Sequence, residues 1–158
     1  AALLDERPDA GMVVPRLQYS DGRHQKSTDR FPTFLSKAYR YFWLRRVEQR
    51  ETGKIRSRDP VEVEYAISAM WLFRREILNR VGLLDEHIFY SPEDVDYCLR
   101  IWKAGYKILL APDAVCTHHA QEISRGFRVT PATIHHVKGM LYYFEKHRYF
   151  FKRPALGR

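Results

Sequence analysis

The sequence predicts an α/β domain in which a mixed sheet is flanked by helices. Segments with strand character lie at residues 12–14, 61–73 and 107–110, and segments with helical periodicity lie at 93–102 and 134–144. Strands that alternate with helices pack as layers around one core. With 158 residues, of which 45% are hydrophobic, the chain is long enough to form such a core.

The N-terminal third combines a short buried strand with a long basic segment. Residues 1–7 have the pattern of the end of an amphipathic helix, and the strand at 12–14 follows a turn. Residues 34–50 have helical spacing but mix aromatic with cationic side chains. Rings and cations both suit a bilayer interface, so we predict that this segment and residues 142–158 lie near an anionic membrane. The alternative is a solvated face with ordinary core aromatics.

The middle of the chain predicts a strand that runs into a short helix. Residues 61–65 alternate as a half-buried strand does, and residues 66–73 continue it. Small side chains at Ser68 and Ala69 allow a backbone or a ligand to approach closely. The helix that follows is predicted to end at Gly82.

Two strands and a helix are predicted for the C-terminal part. Residues 107–110 and 115–118 have strand character and are separated by a turn at Pro112 and Asp113. A last helix is predicted to begin at Thr130 and Pro131. Its packing face is predicted to be Ile134, Val137, Leu141 and Phe144, and its solvent face His135, His136, Lys138 and Lys146.

The best candidate for chemistry is the start of the helix at residues 93–102. Ser91 suits the helix cap and Pro92 the first helical position. Glu93 and Asp94 then lie in the first turn, where the helix dipole favours negative charge. An acidic first turn is also an ordinary helix start, so the pattern alone leaves a purely structural role open.

The aspartates of this helix have different predicted roles. Asp96 precedes Arg100 by four residues, a spacing at which the two side chains can form an ion pair. Asp94 projects about 200° away from Asp96 at ~100° per residue, and no basic residue follows it at i+3 or i+4. We therefore predict that Asp94 is the carboxylate available for chemistry.

Charge and cysteine content bound the class of protein. The chain has 27 Lys and Arg against 19 Asp and Glu, a formal charge of +8, which favours anionic partners. Cys98 and Cys116 form no metal-spaced pair and are predicted to be reduced core thiols. No apolar run reaches the ~18 residues of a membrane span. The sequence thus predicts a cytoplasmic protein, soluble or peripheral at the inner face of the membrane.

A set of ordered positions along nearly the whole chain resembles family 2 glycosyltransferases, above all bacterial members that build rhamnan, O-antigen and related cell-surface glycans. Where that family often has glycine, this chain has Ser68. The matching positions are Pro8-Asp9-Ala10-Gly11, Pro15-Arg16-Leu17, Asp21-Gly22, Phe31-Pro32, Ala66-Ile67-Ser68-Ala69, Arg74-Arg75-Glu76, Val81-Gly82-Leu83-Leu84-Asp85-Glu86, Phe89, Glu93-Asp94-Val95-Asp96, Leu99-Arg100, Ala104-Gly105-Tyr106, Pro112 and His118-His119.

The resemblance implies a GT-A fold and inverting transfer of a sugar, for example rhamnose, from a nucleotide diphosphate sugar to a glycan or lipid-linked acceptor. It also implies a divalent cation, Mg²⁺ or Mn²⁺. Residues 1–130 resemble the C-terminal, acceptor-side part of such a domain, and no counterpart of the DxD-type metal ligands is found. Residues 131–158 would be a C-terminal amphipathic helix and basic tail. Such a portion is expected to be inactive alone and to form homo-oligomers that cover apolar surface.

The family's ED motif falls on Glu93 and Asp94, which implies that Asp94 is the general base and that Glu93 orients the acceptor or the loop. An exposed aspartate near its reference pKa of about 3.9 is ionised at neutral pH and can take a hydroxyl proton. The resemblance also implies His118 as a ligand of the metal or the diphosphate, with an ordinary hydrogen-bonded histidine as the alternative. The predicted substrate-binding residues are Ser68, Ala69, Asp96 and Arg125.

Two other function classes stay open. A basic nucleic-acid-binding module would explain the positive charge, but the chain has no zinc-finger spacing, RNP-like motif or helix-turn-helix pattern, so no nucleic-acid partner is predicted. A non-catalytic interaction domain is the stronger alternative, because part of a nucleotide-binding fold can pack and associate without catalysing a reaction.

Overall fold

The computed structural model describes residues 1–36, 59–89, 91–119 and 131–156, without the side chains of residues 131 and 132. Its mixed α/β architecture confirms the predicted class and is consistent with part of a nucleotide-sugar transferase fold. Residues 34–36 are helical, and the rest of the predicted helix at 34–50 lies outside the described residues. In chain order the elements are α1 (Ala2–Glu6), β1 (Ala10–Gln18), β2 (His24–Gln25), β3 (Thr28–Asp29), β4 (Val61–Glu62), β5 (Tyr65–Ala66), β6 (Leu72–Phe73), α2 (Arg75–Val81), α3 (Glu93–Lys103), β7 (Lys107–Thr117) and α4 (Pro131–His147).

The main sheet is built around the parallel pair β1 and β7. Its order is β2-β1-β7-β4, and β6 also pairs with β1, all three short strands being antiparallel to their neighbours. A second, two-stranded sheet joins β3 to β5. Both faces of the parallel pair are covered, as is usual for parallel strands. Its buried side chains are Ala10, Met12, Val13, Val14, Leu17, Ile108, Leu109 and Leu110.

Two predicted strand boundaries are wrong. The segments at 107–110 and 115–118 form one strand, β7, whose pairing with β1 jumps from Pro15↔Ala111 to Arg16↔Val115. Proline cannot donate to a ladder, so Pro112 produces an irregularity within the strand rather than a turn between two strands. The predicted continuous strand at 61–73 is instead divided into β4, β5 and β6.

Helix α3 is buried on more sides than its predicted stripe. Val95, Leu99 and Trp102 are buried as predicted, and Tyr97, Cys98 and Ile101 are buried as well. The predicted Ser91 cap is wrong by one residue, because Pro92 occupies the cap position and the helix begins at Glu93 without a side-chain cap bond. The helix ends before Gly105, whose φ of +86° suits glycine, as predicted.

Helix α2 ends against α3. The helix stops at Gly82, as predicted, with φ of +80°. The carbonyls at its end and just after it accept hydrogen bonds from the next helix: the Arg100 guanidinium donates to Val81 at 2.6 Å and to Leu83 at 2.7 Å, and the Tyr97 hydroxyl donates to Gly82 at 3.0 Å. Carbonyls at a helix C-terminus lack partners in their own helix, so these bonds fasten α2 to α3.

Helix α4 packs on a face that shares only Phe144 with the predicted one. Met140, Tyr143 and Phe144 are buried, whereas Ile134, Val137 and Leu141 are each about half exposed. Of the predicted solvent face, His135 and Lys138 are exposed, but Lys146 is directed inward to two carboxylates. The helix is rotated because Gly139 allows close approach to Ser91 and because Lys146 and His147 pair with Asp96.

No helix in the described ranges has both the length and the apolar character needed to cross a bilayer. Both cysteines are free thiols; Cys98 is buried, as predicted, and Cys116 is only partly buried. Burial raises the pKa of the Cys98 thiol, so this side chain acts as a small core residue.

Candidate functional site

The chain from Glu64 to Ser68 lies along α3 in the opposite direction and ends at the first turn of that helix. Two extended residues advance ~6.6 Å, and four to five helical residues advance ~6–7.5 Å, so the two elements stay in step. Three hydrogen bonds mark this arrangement: Trp102 Nε1 to the Glu64 carbonyl at 2.9 Å, Cys98 Sγ to the Ala66 carbonyl at 3.7 Å, and Ser68 Oγ to Glu93 Oε1 at 3.4 Å.

The Ser68 to Glu93 contact joins two predicted site residues that are 25 positions apart in sequence. Burial raises the pKa of Glu93 above its ordinary value, although hydrogen bonds from Ser68 and from the backbone of Glu93 and Asp94 act in the opposite direction. A carboxyl group that is desolvated beside a hydroxyl at a helix start is a candidate functional group, because such shifts concentrate at sites.

Asp94 lies next to this contact and is partly buried. Its Oδ1 accepts the backbone N–H of Val95 at 2.7 Å. Both groups belong to the first turn of α3, where the helix dipole stabilises an ionised carboxylate. The arrangement therefore places two acidic side chains with different surroundings side by side.

Asp96 is the centre of a buried ionic cluster. Its carboxylate is 0% exposed and accepts from Arg100 Nε at 2.9 Å, which confirms the predicted pair. The other oxygen accepts from Lys146 Nζ at 2.7 Å and from His147 Nε2 at 2.8 Å. With no accessible surface, this position gives no support to a substrate-binding role for Asp96.

The same cluster fastens α4 to the loop before α3. Lys146 Nζ also lies 2.6 Å from Asp85 Oδ2, so one ammonium group bridges two carboxylates. Burial opposes ionisation of both acids, but the bonds from Lys146 and the neighbouring donors hold the pKa of Asp85 and of Asp96 below the ordinary value. Lys103 Nζ contacts His147 Nδ1 at 2.9 Å and extends the cluster.

His118 lies at the carboxyl end of the parallel pair β1 and β7. Its backbone N–H donates to the Gln18 carbonyl at 2.9 Å, and its Nδ1 lies 3.1 Å from Oε1 of the buried Gln25. The carboxyl ends of parallel strands are where ligands bind in open α/β sheets. The part of the chain that the structure describes holds no group of three or more His, Cys, Asp or Glu side chains suited to a metal ion.

The remaining predicted residues are only partly covered by the structure. Ser68 is exposed and Ala69 partly exposed at the same end of α3. Arg125 lies outside the described residues. Trp71, which sequence reasoning missed, stacks on Tyr97 with ring centroids 5.7 Å apart. Among the described residues, the buried Nε1 of Trp71 has no hydrogen-bond partner. The sequence signal that could have identified Trp71 is its position, three residues after Ser68.

Comparison with curated proteins finds relatives that match almost the whole chain. Proteins named N-acetylglucosaminyl-diphospho-decaprenol L-rhamnosyltransferase, from two strains of Mycobacterium tuberculosis, are 26% identical over 163 residues, which covers 97% of this chain and 52% of each relative. The Sinorhizobium fredii protein named "Uncharacterized protein y4gI" is 27% identical over 139 residues, which covers 81% of this chain and 14% of that protein.

The chain therefore spans about half the length of the rhamnosyltransferases it matches. No family model and no solved structure matches it. The predicted resemblance to glycosyltransferases is confirmed, and it extends over nearly all of this chain.

Proposed function

We propose that the protein to which this chain belongs is an inverting glycosyltransferase. It would transfer a sugar, rhamnose in our proposal, from a nucleotide diphosphate sugar to a glycan or lipid-linked acceptor. The observation that carries the proposal is the contact between Ser68 and Glu93, which assembles predicted site residues beside Asp94 at the start of α3. The similarity to rhamnosyltransferases supports sugar transfer as the reaction class.

In this proposal Asp94 is the general base. The acceptor hydroxyl attacks the anomeric carbon, its proton passes to the Asp94 carboxylate, and the bond from that carbon to the diphosphate oxygen breaks on the opposite face. Attack opposite to the leaving group inverts the configuration at that carbon. The N-terminal end of α3 favours negative charge on Asp94, and Glu93, in contact with Ser68, orients the acceptor.

A divalent cation, Mg²⁺ or Mn²⁺, is part of the proposal through the family resemblance. The described residues do not form a complete site for it, since His118 contacts Gln25 and no cluster of ligating side chains surrounds it. The carboxylate ligands would have to come from residues outside the described ranges, so no step is assigned to His118. Arg125 is proposed to contact the leaving diphosphate, a bidentate contact that guanidinium groups make well.

A non-catalytic interaction role is the second candidate, and one observation favours it. Ile134, Val137 and Leu141 form an apolar stripe on α4 that is half exposed. A contiguous exposed apolar stripe often marks a contact with another protein. We propose this stripe as the surface of the expected homo-oligomer, a role that is compatible with catalysis elsewhere.

The decisive experiment is Asp94→Asn in the parent protein, because the substitution removes a proton acceptor at nearly constant size. Loss of a general base is expected to lower the transfer rate ~10²–10⁴-fold while donor binding stays nearly unchanged. Asp96→Asn is expected to lower the transfer rate per folded molecule by less than Asp94→Asn does, since Asp96 is enclosed in an ionic cluster. Asp113→Asn, on an exposed part of β7, is the matched control. Near-normal turnover by Asp94→Asn would contradict the base assignment.

A further inference from the structure

Two distant parts of the chain meet in an exposed aromatic surface. The backbone N–H of Phe34 donates to the Phe150 carbonyl at 2.8 Å, and the rings of Phe34 and Phe151 meet edge to face with centroids 6.4 Å apart. The two rings are 48% and 67% exposed, and the neighbouring Leu35 and Phe150 are exposed as well. Large apolar side chains thus cluster on the surface although 116 positions separate Phe34 from Phe150 in sequence.

The surface is held in place by the core beneath it. The Phe150 ring contacts the buried Phe144 ring with centroids 5.9 Å apart, and Tyr149 packs edge-on against Phe144 at 5.5 Å. The Arg153 Nε donates to the carbonyl of buried Phe31 at 3.3 Å. These contacts hold the segment that carries Phe150 and Phe151 against the core, with the two rings exposed.

Positively charged residues lie on both sides of the rings along the chain. Lys152 and Arg153 follow Phe151 directly, and Arg148 lies two residues before Phe150; all three are exposed. No acidic residue occurs after Glu145 in the sequence. A partner that accepts aromatic rings and carries negative charge would therefore match this surface.

We propose that this surface docks the protein on an anionic lipid bilayer. We define the docking surface as Phe34, Leu35, Phe150, Phe151, Lys152 and Arg153. Phenylalanine rings can enter the boundary between headgroups and acyl chains, while lysine and arginine reach the lipid phosphates. Aromatic rings beside cations match the layered chemistry of a bilayer, in which anionic phosphates lie above apolar acyl chains. The inference rests on this surface and does not depend on the proposed transfer reaction.

Vesicle co-sedimentation of the chain tests the proposal. The probes are vesicles of phosphatidylcholine alone and vesicles that also contain phosphatidylglycerol, at low and at high salt. We expect binding to the anionic vesicles that falls steeply with salt, because each Lys or Arg near such a surface contributes ~1 kcal/mol and charge is screened by salt. Lys152→Glu with Arg153→Glu should weaken binding roughly 30-fold or more, which is the factor that corresponds to two such contributions.

Matched controls separate this surface from net charge and from misfolding. Arg75→Glu with Arg80→Glu changes the net charge equally on exposed positions of α2, and Phe89→Ser removes an exposed ring elsewhere; both should bind nearly as the parent chain does. Phe151→Ser should weaken binding while the circular dichroism spectrum and melting temperature stay unchanged. Equal binding to neutral and anionic vesicles, equal loss in both charge pairs, or loss of a dimer on Phe151→Ser without any lipid binding would each overturn the proposal.

Discussion

Gly139 of α4 packs directly against the carbonyl oxygen of Ser91, and a Cβ at position 139 would overlap that oxygen. The contact brings the last helix against the turn that precedes Glu93 and Asp94. Met140 and Tyr143 are buried next to it. The start of α3 is thus supported by a helix that follows it by about forty residues in the chain.

Gly139→Ala is expected to destabilise the protein although alanine favours helices by up to ~1 kcal/mol over glycine. The added methyl group must push α4 away from Ser91, and overpacking of this kind costs ~1–3 kcal/mol. Urea unfolding measures the change. Lys138→Ala, at the adjacent exposed position, is the control and should stay within ~0.5 kcal/mol. A more stable Gly139→Ala variant would show that α4 does not pack on Ser91.

Acid should weaken the ionic cluster around Asp96. The pKa values of Asp96 and Asp85 are held below their ordinary value. A carboxylate with a lowered folded-state pKa contributes stability above its unfolded pKa of about 3.9 and loses it as pH falls below that value.

We therefore expect the unfolding free energy to fall as pH is lowered below ~4, with a smaller acid-dependent fall in Asp85→Asn and Asp96→Asn. At neutral pH, Asp96→Asn should cost ~3–5 kcal/mol, because it breaks the ion pair of a fully buried carboxylate with Arg100 and removes one of the two carboxylates that Lys146 bridges. Asp113→Asn is the exposed control. Parallel pH profiles for the parent chain and both cluster variants would contradict this account.

The contribution of Glu93 to stability should depend on pH in the opposite direction to that of Asp85 and Asp96, because burial raises the pKa of Glu93. An acid with a raised folded-state pKa favours the folded state below its unfolded pKa, and this contribution is lost as pH rises through the folded pKa. Glu93→Gln is therefore expected to raise the melting temperature at pH 7 and to change it little in acid, where Glu93 is protonated.

Ser68→Ala completes the test of the Ser68 to Glu93 contact. It removes a hydrogen bond that stabilises the ionised carboxylate, so it should lower the melting temperature at pH 7. In the Glu93→Gln background the same substitution should have less effect, because the ionised partner is absent. Additive effects of the two substitutions would show that the contact does not couple them.

Local sequence patterns predicted the features that depend only on residues close together in the chain. The stripe of Val95, Leu99 and Trp102, the pair of Asp96 with Arg100, and the glycine end of α2 all follow from helical spacing or from backbone freedom. The resemblance to a known family added Glu93 and Asp94 as a pair, a role that spacing alone could not distinguish from an ordinary helix start.

Contacts between distant residues were beyond such patterns. The direction in which α4 faces depends on Gly139 meeting Ser91 and on Lys146 and His147 reaching Asp96. Hydrophobic spacing predicted Ile134, Val137, Leu141 and Phe144 as the packing face, but of these only Phe144 is buried, because the helix is oriented by the distant contacts of Gly139, Lys146 and His147. The contact of Ser68 with Glu93 likewise joins residues that are distant in sequence, so only the structure reveals it.

Isolated, this chain is expected to bind nucleotide sugars weakly and to transfer none. Transfer requires the donor diphosphate to be held so that the anomeric carbon lies in line with the acceptor oxygen, and such positioning can supply ~7–11 kcal/mol. The described residues provide Glu93, Asp94 and His118 but no cluster of metal ligands. A single imidazole holds Mg²⁺ poorly, since that ion prefers six oxygen ligands.

Isothermal titration of the chain with several nucleotide diphosphate sugars, with and without Mn²⁺, measures this directly. We expect no metal-dependent heat in the micromolar range, because the described residues form no group of three or more ligating side chains suited to a metal ion. Asp94→Asn should give the same weak signal, since the base faces the acceptor in the proposed mechanism. Micromolar, metal-dependent binding that His118→Ala abolishes would show instead that this chain carries the donor site, with His118 as one of its ligands.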